Sequence, residues 1–357
     1  MGKNRTQTNF YKHRPVFGFD IGHGSIKVMQ LGSGKKPRLI GYGTGEFDSS
    51  AIDDGVIVDP ETLAKATLNL FQHRLIGDIT TGRAVFTIPS YRSYSRAMQL
   101  PAMKPKELEE AVRLEIEQYT PLPLTDLYLD YTVNAKADDT IDVFAAAIPK
   151  NIIDSYVQFS RLVGLEPILM ETTMSAAGRL FSLDSNKDLA TVIIDFGSLS
   201  SDVCIYYQNV LVTGTVPAGG LVFTKSIADN LGVSLDEAAT IKIRYGLSVS
   251  KKQPEIVRAI EPTLTQLCKE IRRMVRYYEE RYGTSHPISQ LVMLGGGANM
   301  PGLSDYMTDQ LRIPVRTYDP WRIVDAHRLQ LPALPDHPMF STVTGSSLVK
   351  PSEVFSL

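Results

Sequence analysis

The feature that most constrains this chain is a pattern that occurs twice. An apolar run ends in an aspartate, a glycine-rich turn follows, and a second apolar run leads away: FGFDIGHGSIKVMQL at residues 17–31 and TVIIDFGSLSSDVCIYY at 191–207. Runs of this length, rich in β-branched and aromatic residues and punctuated by glycine, read as strand–turn–strand units. The two aspartates, Asp20 and Asp195, stand 175 residues apart. A repeat at that distance predicts two lobes of like construction, which also suits a chain of 357 residues.

The turns themselves suggest a chemistry. A phosphate group needs backbone N–H groups that approach closely, and glycine permits this by lacking a side chain. The first turn offers Gly22, Gly24 and Ser25, with Lys27 just beyond; the second offers Gly197, Ser198 and Ser200. Asp20 and Asp195 can hold a hydrated Mg²⁺ against phosphates, because this ion favours a few carboxylates plus water. A third turn, Gly295-Gly296-Gly297-Ala298-Asn299, follows the apolar run ISQLVML and would let a nucleoside lie on the backbone. Walker A and GxGxxG patterns are absent from the first turn, so a nucleotide site here is of another type.

Composition excludes several alternatives. The formal net charge of −2 argues against a nucleic-acid binder that works by bulk electrostatics. Cys204 and Cys268 sit in apolar patterns and read as buried structural thiols in a reducing compartment, and the six histidines make no metal pair at helical spacing. No apolar run approaches the ~18 residues of a membrane span. The opening MGKNRTQTNFYKHRP is polar and basic and reads as a tail; its Gly2 and Thr6 match a short myristoylation pattern.

Helices are expected at 60–73, 105–119, 151–163, 171–183, 263–283 and 301–311. Pro105 opens and Pro121 and Pro123 close the second of these, Asn151 is a candidate N-cap, and Gly164 a candidate stop. Strands are expected near 37–47, at RAVFTIP, and at 127–133 and 142–148, the last two divided by the polar turn AKADD.

The three turns resemble the phosphate-1, phosphate-2 and adenosine motifs of the actin–sugar kinase–chaperone ATPase superfamily. The stretches RAMQLPAMKPKELEEAVRLEIEQYTPLPLTDLYLDYTV, AAAIPKNIIDSYVQFSRLVGLEPILMETTMSAA and PAGGLVFTKSIADNLGVSLDEAATIK narrow the resemblance to the PilM family of type IV pilus assembly proteins, from about residue 16 onward. That resemblance implies an α/β, actin-like (ribonuclease H-like) two-lobed fold, with duplicated mixed sheets flanked by helices and a small inserted α+β subdomain. It divides the chain into a flexible basic tail (1–14), a first lobe (15–89 with 150–188), the inserted subdomain (90–149), a second lobe (189–222 with 287–357) whose last helix returns to the first, and a helical subdomain (223–286).

Carried over residue by residue, it assigns ATP or ADP with Mg²⁺ to Asp20, Gly22, Gly24, Ser25, Lys27, Asp195, Gly197, Ser198, Ser200, Gly295, Gly296, Gly297 and Asn299. Lys242 would pack by the adenosine and Glu171 would position the attacking water. Departures from the pattern at His23, at Ala239 and Thr240, and at Ser198-Leu199-Ser200 favour nucleotide binding over hydrolysis, which is expected to be weak or absent. The family role implied is a cytoplasmic adaptor at the inner face of the cytoplasmic membrane. It would bind the cytoplasmic tail of a PilN-like bitopic protein in a groove between the first lobe and the inserted subdomain, around Ser90–Leu100. Membrane association would run through that partner; contact with pilus assembly or retraction motors and self-association are further expectations. An FtsA-like filament former and a small-molecule kinase are the alternatives.

Overall fold

The fold comes from a computed structural model, which describes residues 14–326 and 328–354; residues 1–13 of the basic tail, with the Gly2 pattern, lie outside the described residues. Strand β1 (Phe17–Ile21) is buried along its whole length and turns through the first glycine loop into β2 (Ser25–Gly32) and β3 (Arg38–Glu46). A short hairpin, β4 (Ile52–Asp53) with β5 (Val56–Ile57), precedes helix α1 (Pro60–His73), which Asp59 caps by accepting from the Thr62 N–H. β6 (Leu75–Gly77) and β7 (Arg83–Ile88) follow.

The chain then makes a detour. β8 (Tyr94–Pro101), helix α2 (Pro105–Tyr119), β9 (Leu127–Lys136) and β10 (Thr140–Pro149) form a three-stranded sheet, order β8-β10-β9, with the helix across it. Leu108, Val112 and Ile116 of α2 interlock with Met98, Leu100, Val143 and Ala145, giving this module a core of its own. The helix spans the residues expected for it, since Pro105 starts it and the segment before Pro121 ends it.

Helix α3 (Lys150–Leu162) returns the chain to the first sheet, where β11 (Glu166–Thr172) completes the order β11-β7-β1-β2-β3-β6. After helix α4 (Thr173–Phe181) the second sheet begins with β12 (Thr191–Phe196), β13 (Ser201–Tyr207) and β14 (Asn209–Val216). Helices α5 (Gly220–Leu231), α6 (Leu235–Arg244) and α7 (Gln253–Tyr282) come next. β15 (Gln290–Leu294), helix α8 (Leu303–Leu311) and β16 (Val315–Thr317) close it in the order β14-β13-β12-β15-β16.

The sequence echo is thus a topological one. In both sheets an antiparallel run of three strands is extended on one side by two parallel ones, β1 matching β12 and β7 matching β15, and the first sheet adds β6 antiparallel at its other edge. The correspondence holds to the residue: Asp20 faces Lys27, which faces Thr44, while Asp195 faces Asp202, which faces Thr215. One register position therefore carries a lysine in the first lobe and an aspartate in the second.

Helix α9 (Ser341–Ser347), all of it buried, packs on β1 and α4. Its residues, STVTGSS, are small because the space is: a Cβ on Gly345 would strike the Ala176 backbone, and one on Gly18 would lie 2.6 Å from the Val343 carbonyl.

Three expectations about helices are corrected. The helix expected at 171–183 starts at Thr173, because Glu171 and Thr172 still pair with β7 and the Thr172 hydroxyl caps the helix. The helix expected at 263–283 starts at Gln253 and carries Pro262 inside it. Burial of Ile256, Ile260 and Leu264 against the second core outweighs the roughly 3 kcal/mol a proline costs there. Asn151 is not a cap, since Pro149 holds the cap position of α3. Among the described residues no helix is long and apolar enough to cross a membrane.

Candidate functional site

A cleft of about 1120 Å³ opens between the two sheets, and all three glycine turns line it. Every expected site residue takes part except Gly24 and Glu171. The Gly24 carbonyl instead accepts from the Phe47 N–H, tying the turn to β3.

The turns keep space open in different ways. Built on Gly22 or Gly296, a Cβ would have no neighbour nearer than 3.4 Å, so those two glycines leave room for whatever fills the cleft. Gly295 has φ +80°, and a side chain there would collide with Asp195 and Phe196; its role is the turn itself.

On the first-lobe side the Asp20 carboxylate accepts from the Thr87 hydroxyl at 2.6 Å and pairs with Lys27 Nζ at 3.6 Å. Lys27 also donates to Ser25 Oγ at 3.0 Å. On the second-lobe side neither Asp195 nor Asp202 is in an ion pair among the described residues. Asp195 is pushed up to about 7 by burial and then by the Asp202 and Asp20 carboxylates, against the Thr342 hydroxyl, which donates to it at 3.0 Å, and Lys27. Asp202 is pushed up to about 6 by burial, although Thr215 and Thr173 donate to it at 2.6 Å and 3.2 Å and the Ser90 backbone adds a further bond. Asp202 was not among the sequence-derived site residues. Its signal was present: an antiparallel hairpin that pairs Asp195 with Asp202 puts both on one face of the sheet.

The other end of the cleft is apolar. Leu235, Ala239 and Ile243, four residues apart on α6, face it, as do Met300, Pro335 and Met339. Polar groups rim this end. Lys242 donates to Gly220 O at 2.6 Å and Thr224 Oγ1 at 2.7 Å, and Asn299 donates to the Pro335 carbonyl. His23 lines the cleft with its pKa lowered by burial and then by Lys225, which favours the neutral ring.

Glu171 is elsewhere. Its carboxylate is buried beside β7 and accepts from Arg179 at 2.6 Å. Burial raises its pKa and Arg179 opposes the rise. A carboxylate so engaged is poorly placed to orient water in the cleft, which Thr173, two residues later, does line.

The family profile for type IV pilus assembly protein PilM matches residues 18–342. The chain belongs to that family. A solved structure of a PilM–PilN type IV pilus biogenesis complex superposes with a TM-score of 0.81 at 24% identity, covering 94% of this chain and 98% of that one. MreB5 of Spiroplasma citri, bound to AMPPNP, superposes with a TM-score of 0.54 at 12% identity, covering 94% and 95%. These likenesses establish the actin-like fold. The cell division protein FtsA of Neisseria meningitidis serogroup B (strain ATCC BAA-335 / MC58) is 26% identical over 165 residues, 41% of this chain and 40% of that protein. The chain thus spans well under half the length of that relative.

Proposed function

We propose that this protein is an ATP-binding adaptor of the type IV pilus inner-membrane assembly platform, holding ATP or ADP with Mg²⁺ in the cleft between its lobes. The observation that carries the nucleotide is the charge arrangement: Asp202, buried, and Asp195, part-buried, line the cleft beside the glycine turns, and among the described residues neither is in an ion pair, Lys27 pairing with Asp20 instead. A polyphosphate with its magnesium supplies the cation those carboxylates lack. Among the described residues no three His, Cys, Asp or Glu side chains form a metal cage, and a water-coordinated Mg²⁺ needs none.

In this reading Gly22 and Ser25 from one lobe and Gly197, Ser198 and Ser200 from the other cradle phosphates, with Asp20 and Asp195 acting on the magnesium through water. The base lies between Ala239 and Ile243 on one side and Met339 on the other, with the sugar over Gly295–Gly297. Bound Mg²⁺ would neutralise phosphate charge. The partner is the cytoplasmic tail of a PilN-like bitopic protein, docked between the first lobe and the inserted module near Ser90–Leu100. Such a partner would hold the protein peripherally at the inner face of the cytoplasmic membrane. The similarity to a PilM solved in complex with PilN supports that partner class.

Two titrations test this. A fluorescent ATP analogue should bind the purified protein with Mg²⁺ and be displaced by ATP. A PilN-type tail peptide fused to a carrier should bind wild type and lose binding on reversal of the one charge in Ser93–Arg96, Arg96→Glu. Failure of the first removes the nucleotide; failure of the second removes the adaptor role.

A further inference from the structure

The lining of the cleft is not limited to the glycine turns: Ile52, Asp53, Pro89, Tyr91, Tyr156 and Thr173 also line it. Tyr156, on α3, is fully buried, yet among the described residues its hydroxyl has no hydrogen-bond partner. The Asp20 and Asp202 carboxylates that line the same cleft take their hydrogen bonds and ion pair from other donors. Asp20 receives Thr87 on one oxygen and Lys27 on the other, and Asp202 receives Thr215 and Thr173.

An orphaned buried donor is costly, and a phenylalanine would fill the same place without that cost. The ring meets Phe86 edge-on at 6.2 Å, a contact that phenylalanine would keep. Burial, followed by the Asp20 charge and Tyr91, raises the phenol well above its usual value, so it remains a proton donor at any physiological pH. What the hydroxyl lacks is an acceptor arriving from the cleft.

Resting on the nucleotide reading above, we infer that Tyr156 is a specificity-determining residue whose hydroxyl donates to the outermost phosphate and so separates nucleoside triphosphate from diphosphate. The base end, at Gly296 and Met339, and the phosphate turns at Gly22 and Gly197 are the same for both nucleotides. What differs between them is the third phosphate, and in this reading that is the group the Tyr156 hydroxyl would meet. Tyr156 lines the same cleft as Tyr91, which stands at the root of the inserted module.

Tyr156→Phe tests this by calorimetric titration with a non-hydrolysable ATP analogue and with ADP, both with Mg²⁺. Loss of a hydrogen bond to a charged group should weaken the triphosphate about 10- to 100-fold, leave ADP within about threefold, and leave the melting temperature of the unliganded protein unchanged or higher. Equal weakening of both nucleotides, no change in either, or a fall in unliganded stability with unchanged selectivity would each overturn the assignment. If wild type binds neither nucleotide, the nucleotide reading fails instead, a result that the wild-type titration alone distinguishes. Should the variant not fold, 3-fluorotyrosine labelling of the native sequence supplies the measurement. The Tyr156 fluorine resonance must move with the triphosphate and not with ADP, and an identical response to both sinks the proposal.

Discussion

Asp195→Asn should stabilise the unliganded protein, and by an amount that depends on pH in a defined direction. The native carboxyl titrates near 7, about three units above an ordinary aspartate. At roughly 1.4 kcal/mol per unit this corresponds to about 4 kcal/mol held against the fold once the group is ionised. The figure is an upper one because Asp195 and Asp202 titrate together, and removing one charge also relieves the other. Between about pH 4 and pH 7 the native state retains a proton that the unfolded chain has released, so wild-type stability falls as pH rises through that window and levels off above it. Asparagine keeps the shape and an oxygen to accept from Thr342 but carries no charge. Urea unfolding of both proteins at pH 5, 6, 7 and 8, without nucleotide, should give a variant that is more stable at pH 8. The advantage should shrink steadily toward pH 5. A variant no more stable at pH 8, or an advantage that grows as pH falls, refutes the claim that Asp195 is a desolvated charge without an ion pair.

Gly296→Leu should leave the melting temperature within about 2 °C and abolish nucleotide binding, since its side chain enters open cleft, whereas Gly295→Leu should destabilise the fold because φ is +80° and Asp195 stands in the way. Thermal shift with and without ATP separates the two. Lys27→Met should weaken ATP about 10- to 100-fold in calorimetry by removing the cation that pairs with Asp20 beside the phosphate turn. Gly345→Ala should cost about 2 kcal/mol in chemical denaturation, because the added methyl must push α9 off the Ala176 backbone.

Much of the site was legible because its elements are local. A phosphate turn is written in five or six consecutive residues, and Asp20-Ile21-Gly22 and Asp195-Phe196-Gly197 announce themselves at the ends of apolar runs. Helix α2 was legible to its ends because prolines mark both. What escaped was set by distance or by smallness. Thr342 reaches Asp195 from 147 residues away, on a helix whose STVTGSS sequence has no apolar stripe and is buried only because nothing larger fits. The family resemblance puts Glu171 beside the attacking water, but its strand pairs with β7 and its carboxylate meets Arg179, a contact between two elements that the sequence does not order. Asp202 is legible only through register, since the residue facing an aspartate across a hairpin shares its side of the sheet.

The hydrogen bonds around Asp202 have a thermodynamic corollary. This second-lobe carboxylate is bound by Thr173 and the Ser90 backbone, and the Ser90 hydroxyl meets that of Thr173 at 2.7 Å just before the chain enters the inserted module. Any ligand that draws on Asp202 and any protein that leans on the Ser90 junction therefore compete for, or share, one set of bonds. Linkage then closes a box: the factor by which a cleft ligand alters affinity at the module equals the factor by which the module's partner alters affinity in the cleft. If the proposed nucleotide and partner tail both bind, cleft occupancy at constant nucleotide concentration would shift with the number of tails present, with no catalytic turnover required for the signal.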